Sequence, residues 1–236
     1  MSAIELLGFG PNGWGLQLLL ATGVTLGDTV AAFALGSAFG ALIAAATLSR
    51  NAALSFFGKA YTTVLRGVPD LLVIYLLYFG GSAALSAVGR MFGGEGFIGV
   101  NSFATGALAV GIVSGAYQAE VYRGAYLAIP KGELEAARSV GMRPATLFAR
   151  IVAPQTLRFA IPGLGNVWQL ALKESALVSV TGLTELLRQA QVASGSTRQP
   201  FVFYAAAAAL YLALTTVSTK LFDVAENTAM RGVRRA

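Results

Sequence analysis

Apolar stretches long enough to cross a lipid bilayer recur along this chain, at about 22–48, 68–88, 103–125, 159–181 and 201–222. A helix rises about 1.5 Å per residue, so a hydrocarbon core of ~30 Å takes roughly 20 mostly apolar residues. Inside that core every backbone N–H and C=O must find its partner within the chain, and runs of this length do so as helices. The composition agrees, since 56% of the 236 residues are hydrophobic and 12% are charged, with a mean hydropathy of +0.66. Soluble domains carry about 25% charged residues, and chains that stay unfolded pair low hydrophobicity with high net charge. The expectation is an all-α polytopic membrane protein with about five transmembrane helices.

Cysteine and histidine are absent, which removes disulfide scaffolds, thiolate nucleophiles, imidazole bases and most zinc or haem ligand sets. An enzyme built on this chain would have to work with carboxylates, hydroxyls or lysine. The net charge of +6 is spread between the apolar runs instead of forming a patch, so it points to membrane topology and not to a nucleic-acid partner. With the N-terminus outside, the inner segments hold Arg50, Lys59, Arg66, Arg123, Lys131, Arg138, Arg143, Arg150, Arg158, Lys220, Arg231, Arg234 and Arg235, thirteen of the 17 basic residues. The outer segments hold Arg90, Arg188 and Arg198, and Lys173 lies within a span. This asymmetry, with an odd number of spans, predicts N-out and C-in, placing Arg143 and Arg235 in the cytoplasm and Ser194 outside.

The first basic residue is Arg50, so the first run lacks the positive n-region of a signal peptide and is expected to be retained. Gly10-Pro11-Asn12-Gly13 before it reads as a turn, and Trp14 suits an interface. The expected organisation is an extracytoplasmic segment 1–21, a transmembrane domain 22–228 with an inner loop at 130–155, and a cytoplasmic basic tail 229–236. Gly23 with Gly27, Gly36 with Gly40, and Gly111 with Gly115 stand at the GxxxG spacing that lets helix backbones approach in lipid.

The inner loop has structure of its own. After Pro130-Lys131-Gly132, Glu133 and Glu135 fall near a helix start, where carboxylates meet the positive end of the helix dipole. Gly141 suits the positive φ that ends a helix, and Pro144 suits the first position of the next, with Leu147, Phe148 and Ile151 as its apolar stripe. A helix–turn–helix with an amphipathic second arm is expected.

The run Glu135-Ala136-Ala137, followed at set distances by Gly141, Ile151 and Pro154, resembles the EAA loop of ABC-importer permeases, with Ala153 where that family usually has leucine. Arg66-Gly67-Val68-Pro69, Glu120-Val121-Tyr122-Arg123-Gly124, Pro154-Gln155 and Lys173-Glu174-Ser175-Ala176-Leu177 look like the polar amino-acid uptake permeases. The stretch from Tyr61 to Tyr75 is most similar to the Q-type subunits of histidine/lysine/arginine/ornithine and opine permeases.

The resemblance implies a type I ABC-importer transmembrane domain in a bacterial inner membrane. It implies a second permease subunit, either a sister M-type or a self copy, two ABC ATPase subunits that hold the ATP and Mg, and a periplasmic or extracytoplasmic amino-acid-binding protein. It also implies that Glu135, Ala136, Ala137, Gly141 and Pro154 couple the chain to the ATPase, with Leu147, Phe148 and Ile151 in the docking stripe. No cofactor is expected on this chain, which lacks a G-x-x-x-x-G-K-[ST] nucleotide loop.

Ionisable residues inside spans are expensive unless paired or wet, so each is a site candidate. Asp28 reads as standing at the outer interface, and Asp70, after Pro69, as capping the second span at its cytoplasmic entry or neutralising Arg66. Glu120 stands one turn from Tyr117 and from Arg123 on the third span, and is expected either to face a cationic solute or to pair with Arg123. Lys173 and Glu174 are adjacent and so point in different directions. The candidate substrate path is Tyr117, Glu120, Asp70 and Glu174. Two rival classes are a stand-alone secondary amino-acid transporter, which needs intramembrane ion sites and usually inverted repeats, and a carboxylate-based membrane protease, for which no facing pair of aspartates is evident.

Overall fold

Helices in lipid gain little from hydrophobic association, so close backbone approach and interhelical hydrogen bonds select their partners. In the computed structural model, which describes residues 2–11, 13–91 and 101–231, the helices Gly15–Thr47 (α2) and Ser102–Leu127 (α6) illustrate both effects. They run side by side in the same direction, with Gly27 against Phe103, Gly36 against Gly111 and Ser114, and Gly40 against Gly115 and Ala119. A Cβ on Gly36 would stand 3.1 Å from the Gly111 carbonyl oxygen, and one on Gly40 would stand 3.1 Å from that of Gly115. Gly23, by contrast, faces open space.

Gln118 seals this contact. Fully buried, it donates to the Phe33 carbonyl (3.1 Å) and Ser114 Oγ (3.0 Å), and its Oε1 accepts from Ser37 Oγ (2.8 Å) and the Tyr122 hydroxyl (3.2 Å). Two donors and two acceptor positions are the whole capacity of an amide side chain. A polar residue that hydropathy counts against a span is thus the bond between two of them.

The remaining elements are placed around this pair. Ala3–Leu7 (α1) packs Leu6 with Leu18, Leu186 and Phe203 at one end of the bundle, so α2 begins earlier than residue 22 and its N-terminal turns are already enclosed. Residues 52–67, which carry Lys59 and Arg66 and read as an inner connection, form the helix Ala52–Gly67 (α3), capped by the Asn51 side chain. It folds back along α2 and α6: Ser55 Oγ donates to the Thr47 carbonyl (3.1 Å) and the Tyr61 hydroxyl to the Ile112 carbonyl (2.6 Å). Gly67-Val68-Pro69 then breaks the chain into Asp70–Tyr75 (α4), a π-helical turn Leu76–Gly80 and Gly81–Met91 (α5). Asp70 is the first residue of α4 and of the apolar stretch Asp70–Val88, half-buried after the break at Pro69, as expected for the entry of the second span.

Beyond α6 come Lys131–Ser139 (α7) and Pro144–Leu147 (α8), then a π-helical turn Phe148–Val152 and Ala153–Glu174 (α9). Tight 3-10 turns over Ser175–Thr181 follow, then Leu186–Thr197 (α10) and Pro200–Ala229 (α11). Glu185 caps α10, accepting from the backbone N–H of Leu187 (2.8 Å) and Arg188 (2.7 Å) and from the Tyr211 hydroxyl (3.0 Å). Burial pushes its carboxyl upward, against those hydrogen bonds.

The described residues are all helix, turn or coil, as expected for the class. Among them Gly15–Thr47, Asp70–Val88 and Pro200–Ala229 are long and apolar enough to cross a membrane. The expected spans at 103–125 and 159–181 fall on α6 and on α9 with its 3-10 extension. These two carry polar residues, Gln118 and Glu174 among them, that are buried inside the bundle. Arg234 and Arg235 lie outside the described residues.

Filling the α2–α6 contact should separate the pair. Gly40→Leu is expected to cost about 1–3 kcal/mol, the usual range for overpacking, read as a lowered thermal midpoint of the detergent-solubilised protein; Gly23→Leu, at an open position, serves as the control that leaves it unchanged.

Candidate functional site

At the end of the bundle where α2 and α6 finish, α7 and α8 form the expected helix–turn–helix. Glu133 occupies the first turn of α7 and accepts from the Gln155 side-chain amide, which ties α7 to the start of α9. The helix ends at Gly141, whose φ of +73° is the left-handed conformation that glycine adopts without strain. There the Gly141 N–H donates to the Arg138 carbonyl (3.0 Å) and the Met142 N–H to that of Ala137 (3.2 Å). Pro144 opens α8, and Pro154 sits in the first turn of α9.

The loop's side chains divide into two sets. Ala137, Leu147, Val152 and Ile129 are buried together, with Leu134, Met142, Ile151 and Phe159 packed against them. Leu147 and Ile151 therefore build the platform under α7, where the apolar stripe alone suggests a docking role for them. Glu135, Ala136 and Pro154 are exposed, and Phe148, 61% exposed, borders an apolar cavity of about 540 Å³ shared with Ala44, Leu48 and Tyr126. Val140, 77% exposed at the tip beside Gly141, escaped the sequence reading; its one signal was a β-branched apolar residue immediately before the helix-ending glycine. Glu135, Ala136, Val140 and Gly141 are thus all exposed on this loop.

A second constellation lies midway along α6. The Arg66 guanidinium sits over the Tyr117 ring, 5.4 Å from its centroid. Asp70 and Glu174 are close enough to act on the Tyr117 hydroxyl through their charge. Glu174 is buried at the end of α9, its carboxyl facing that of Asp70 and receiving no bond from an N–H or hydroxyl, while its neighbour Lys173 is exposed. Glu120 stands apart: its Oε2 accepts from Arg123 Nη2 (2.7 Å) and Nε (2.9 Å), so the intrahelical pair is realised. The structure thus brings Tyr117, Asp70 and Glu174 together, adds Arg66, and leaves Glu120 in a separate ion pair.

Asp28 is not at an interface. It is fully buried with neither oxygen hydrogen bonded, pressed against Gly106, where a Cβ would come within 3.1 Å of Oδ1. Hydropathy could not show this, because α2 starts at Gly15 and the covering Val178 comes from a distant segment.

Residues 36–230 match the family described as "Binding-protein-dependent transport system inner membrane component". The chain is 58% identical to the octopine transport system permease protein OccQ of Rhizobium radiobacter over 235 residues, 100% of this chain and 99% of that protein. It is 46% identical to the nopaline transport system permease protein NocQ of Agrobacterium fabrum, covering 98% of each. To the histidine/lysine/arginine/ornithine transport system permease protein HisQ of Escherichia coli it is 38% identical, over 90% of this chain and 93% of that one. Among solved structures, the crystal structure of an amino acid ABC transporter with histidines is similar at a TM-score of 0.77 and 32% identity, covering 91% of this chain and 95% of that chain. The fold alone is shared with the MetNI methionine ABC transporter, at a TM-score of 0.69 and 17% identity, over 91% and 97%. A stand-alone secondary transporter finds no support in these similarities.

Two variants test the geometry. Gly141→Val opposes the positive φ at a cost of roughly 1–2 kcal/mol or more and should uncouple the loop: solute-stimulated ATP hydrolysis by the assembled transporter falls while membrane insertion stays normal. Glu120→Gln should lower the yield of folded protein and leave the ratio of arginine to uncharged-analogue uptake per assembled complex as in the wild type.

Proposed function

The chain belongs to the family of binding-protein-dependent transport system inner membrane components, and on that premise we propose how its parts divide the work of transport. It is a permease subunit of an ABC importer for amino acids or opines. As a transport component it leaves ATP hydrolysis to a separate subunit, consistent with the missing nucleotide loop.

We infer that it pairs with a second permease subunit, a sister or a self copy, on two ATPase subunits that carry the ATP and Mg, and receives its cargo from an extracytoplasmic binding protein. The N-terminus lies outside and the loop at α7 and α8 lies in the cytoplasm, which the basic-residue asymmetry supports. Closure of the ATPase dimer pushes on Glu135, Ala136, Val140 and Gly141. The platform of Ala137, Leu147 and Ile151 passes the displacement to α9, which rocks as a rigid body.

The cargo is an amino acid or opine with a cationic group. The observation that carries this reading is the grouping of Asp70 and Glu174 around Tyr117 at mid-depth. Two carboxylates and an aromatic face suit a guanidinium or ammonium. The relatives named for histidine, lysine, arginine and ornithine and for arginine are consistent with it.

Topology is checked with single cysteines and an impermeant thiol reagent in intact cells. A cysteine at the exposed Ser196 should label from outside, since Ser194 itself is buried, and one at Arg143 should not; labelling at 143 reverses the orientation. For the cargo, Glu174→Gln and Asp70→Asn should each lower arginine uptake relative to an uncharged analogue by roughly tenfold, a difference of about 1.4 kcal/mol. An equal loss for both solutes assigns the two carboxylates to folding.

A further inference from the structure

Arg66 is an unusual member of the constellation around Tyr117. It ends α3, is exposed, and has no ion-pair partner among the described residues, where the one ion pair joins Arg123 to Glu120. Its guanidinium nevertheless rests over the Tyr117 ring, 5.4 Å from the centroid, and shares the electrostatic surroundings of that ring with Asp70 and Glu174. A guanidinium thus already stands where the aromatic face and the two carboxylates would receive one. It is held by the ring and by diffuse attraction, without the bidentate hydrogen bonds that fix an arginine to a carboxylate. Behind it the helix ends: α3 stops at Gly67, Val68 is extended (φ −97°, ψ 139°) and Pro69 separates it from α4.

We propose that Arg66 is a tethered stand-in for the cargo's cation, covering the Tyr117 ring while the path is empty and leaving that place to the incoming cationic group. This deepens the cargo reading above and rests on it. An open aromatic face beside two carboxyl groups attracts cations, and a covalently attached one cannot leak through. Competition from Arg66 also weakens cargo binding by the fraction of time the site is covered. A site passing solute onward gains from this, because cargo bound too tightly would leave slowly. An uncharged solute cannot replace the arginine's charge, so the same residue contributes to selectivity.

The test uses the complete transporter in lipid nanodiscs without binding protein, measuring equilibrium binding of radiolabelled arginine, and in proteoliposomes with binding protein, measuring uptake. Arg66→Gln removes the competitor and should bind arginine roughly fivefold more tightly than the wild type, the scale of one cation–π contact. Its uptake should show a lower KM together with a lower maximal rate. Arg66→Lys keeps the charge, stacks less well, and should fall between the two. Arg66→Gln complexes that assemble and bind arginine as weakly as the wild type, or more weakly, overturn the proposal. Should Arg66→Gln fail to assemble, Arg66→Lys decides: tighter binding supports the stand-in role, and unchanged or weaker binding refutes it. Equal arginine binding by the wild type and Glu174→Gln overturns the cargo reading itself and this proposal with it, whereas loss of binding in Glu174→Gln without tightening in the Arg66 variants overturns the stand-in alone.

Discussion

Everything in this bundle is referenced to the contact between α2 and α6. Two helices that offer glycine to each other at Gly36, Gly40, Gly111 and Gly115 come close enough for one amide, Gln118, to reach a backbone carbonyl and a hydroxyl on the opposite helix. In a medium without water those bonds have little competition, and the dispersion contacts of closely packed backbones replace the hydrophobic drive. α3 then takes its height from this pair. The Tyr61 hydroxyl fixes it to the Ile112 carbonyl, and five residues along the chain Arg66 arrives over Tyr117. Had α3 remained a surface connection, Arg66 and Asp70 would lie in the headgroup region, and no acid pair would form inside.

The placement of charge follows the same economy of position. Glu120 and Arg123, one turn apart on α6, neutralise each other locally and need nothing from other helices. Asp70, Glu174 and Arg66 come from three separate segments, and none of them forms an ion pair like that of Glu120 and Arg123. Charges gathered from several helices at one depth are what a transport path requires, because relative motion of those helices changes the site. A pair on one helix moves as a unit and is insensitive to rocking. By this criterion we assign Glu120 to the scaffold and propose Glu174 for the path.

The class of fold was legible because hydropathy reports length in apolar residues, and length against bilayer thickness leaves few alternatives. The loop was legible for a different reason: Gly141 and Pro144 impose backbone conformations that few other residues prefer, and both are used as expected. Where charge stood for exposure, reading failed. Asp28 looked like an interface residue although it is fully buried, while Lys59 and Arg66 are exposed on a helix that nevertheless packs along α2 and α6. Which face a residue turns inward depends on helices distant in sequence, and Val178 and Gly106 enclose Asp28 without leaving any trace near it. The role of Leu147 is a similar case. An amphipathic stripe shows that a helix has a covered side, but not whether a partner or the chain's own Ala137 and Val152 cover it.

The connection between loop and path is a single backbone. From Pro144 through the π-helical turn to Glu174 the chain stays in right-handed helical conformation, a rod of about 45 Å at helical rise. Its first turns hold the platform under α7 and its last residue is the buried Glu174. Pro162 removes one backbone hydrogen bond partway along. Beside it Gly163 packs against Val121 on α6 and Gly165 against Phe222 on α11, contacts close enough to guide the rod between two neighbours. No non-helical break interrupts this backbone between the loop and Glu174, so a displacement applied at the loop is carried along it. It must appear either as a tilt of α9 between α6 and α11 or as bending at Pro162, and both alter the distance between Glu174 and the ring of Tyr117, which α6 keeps fixed to α2.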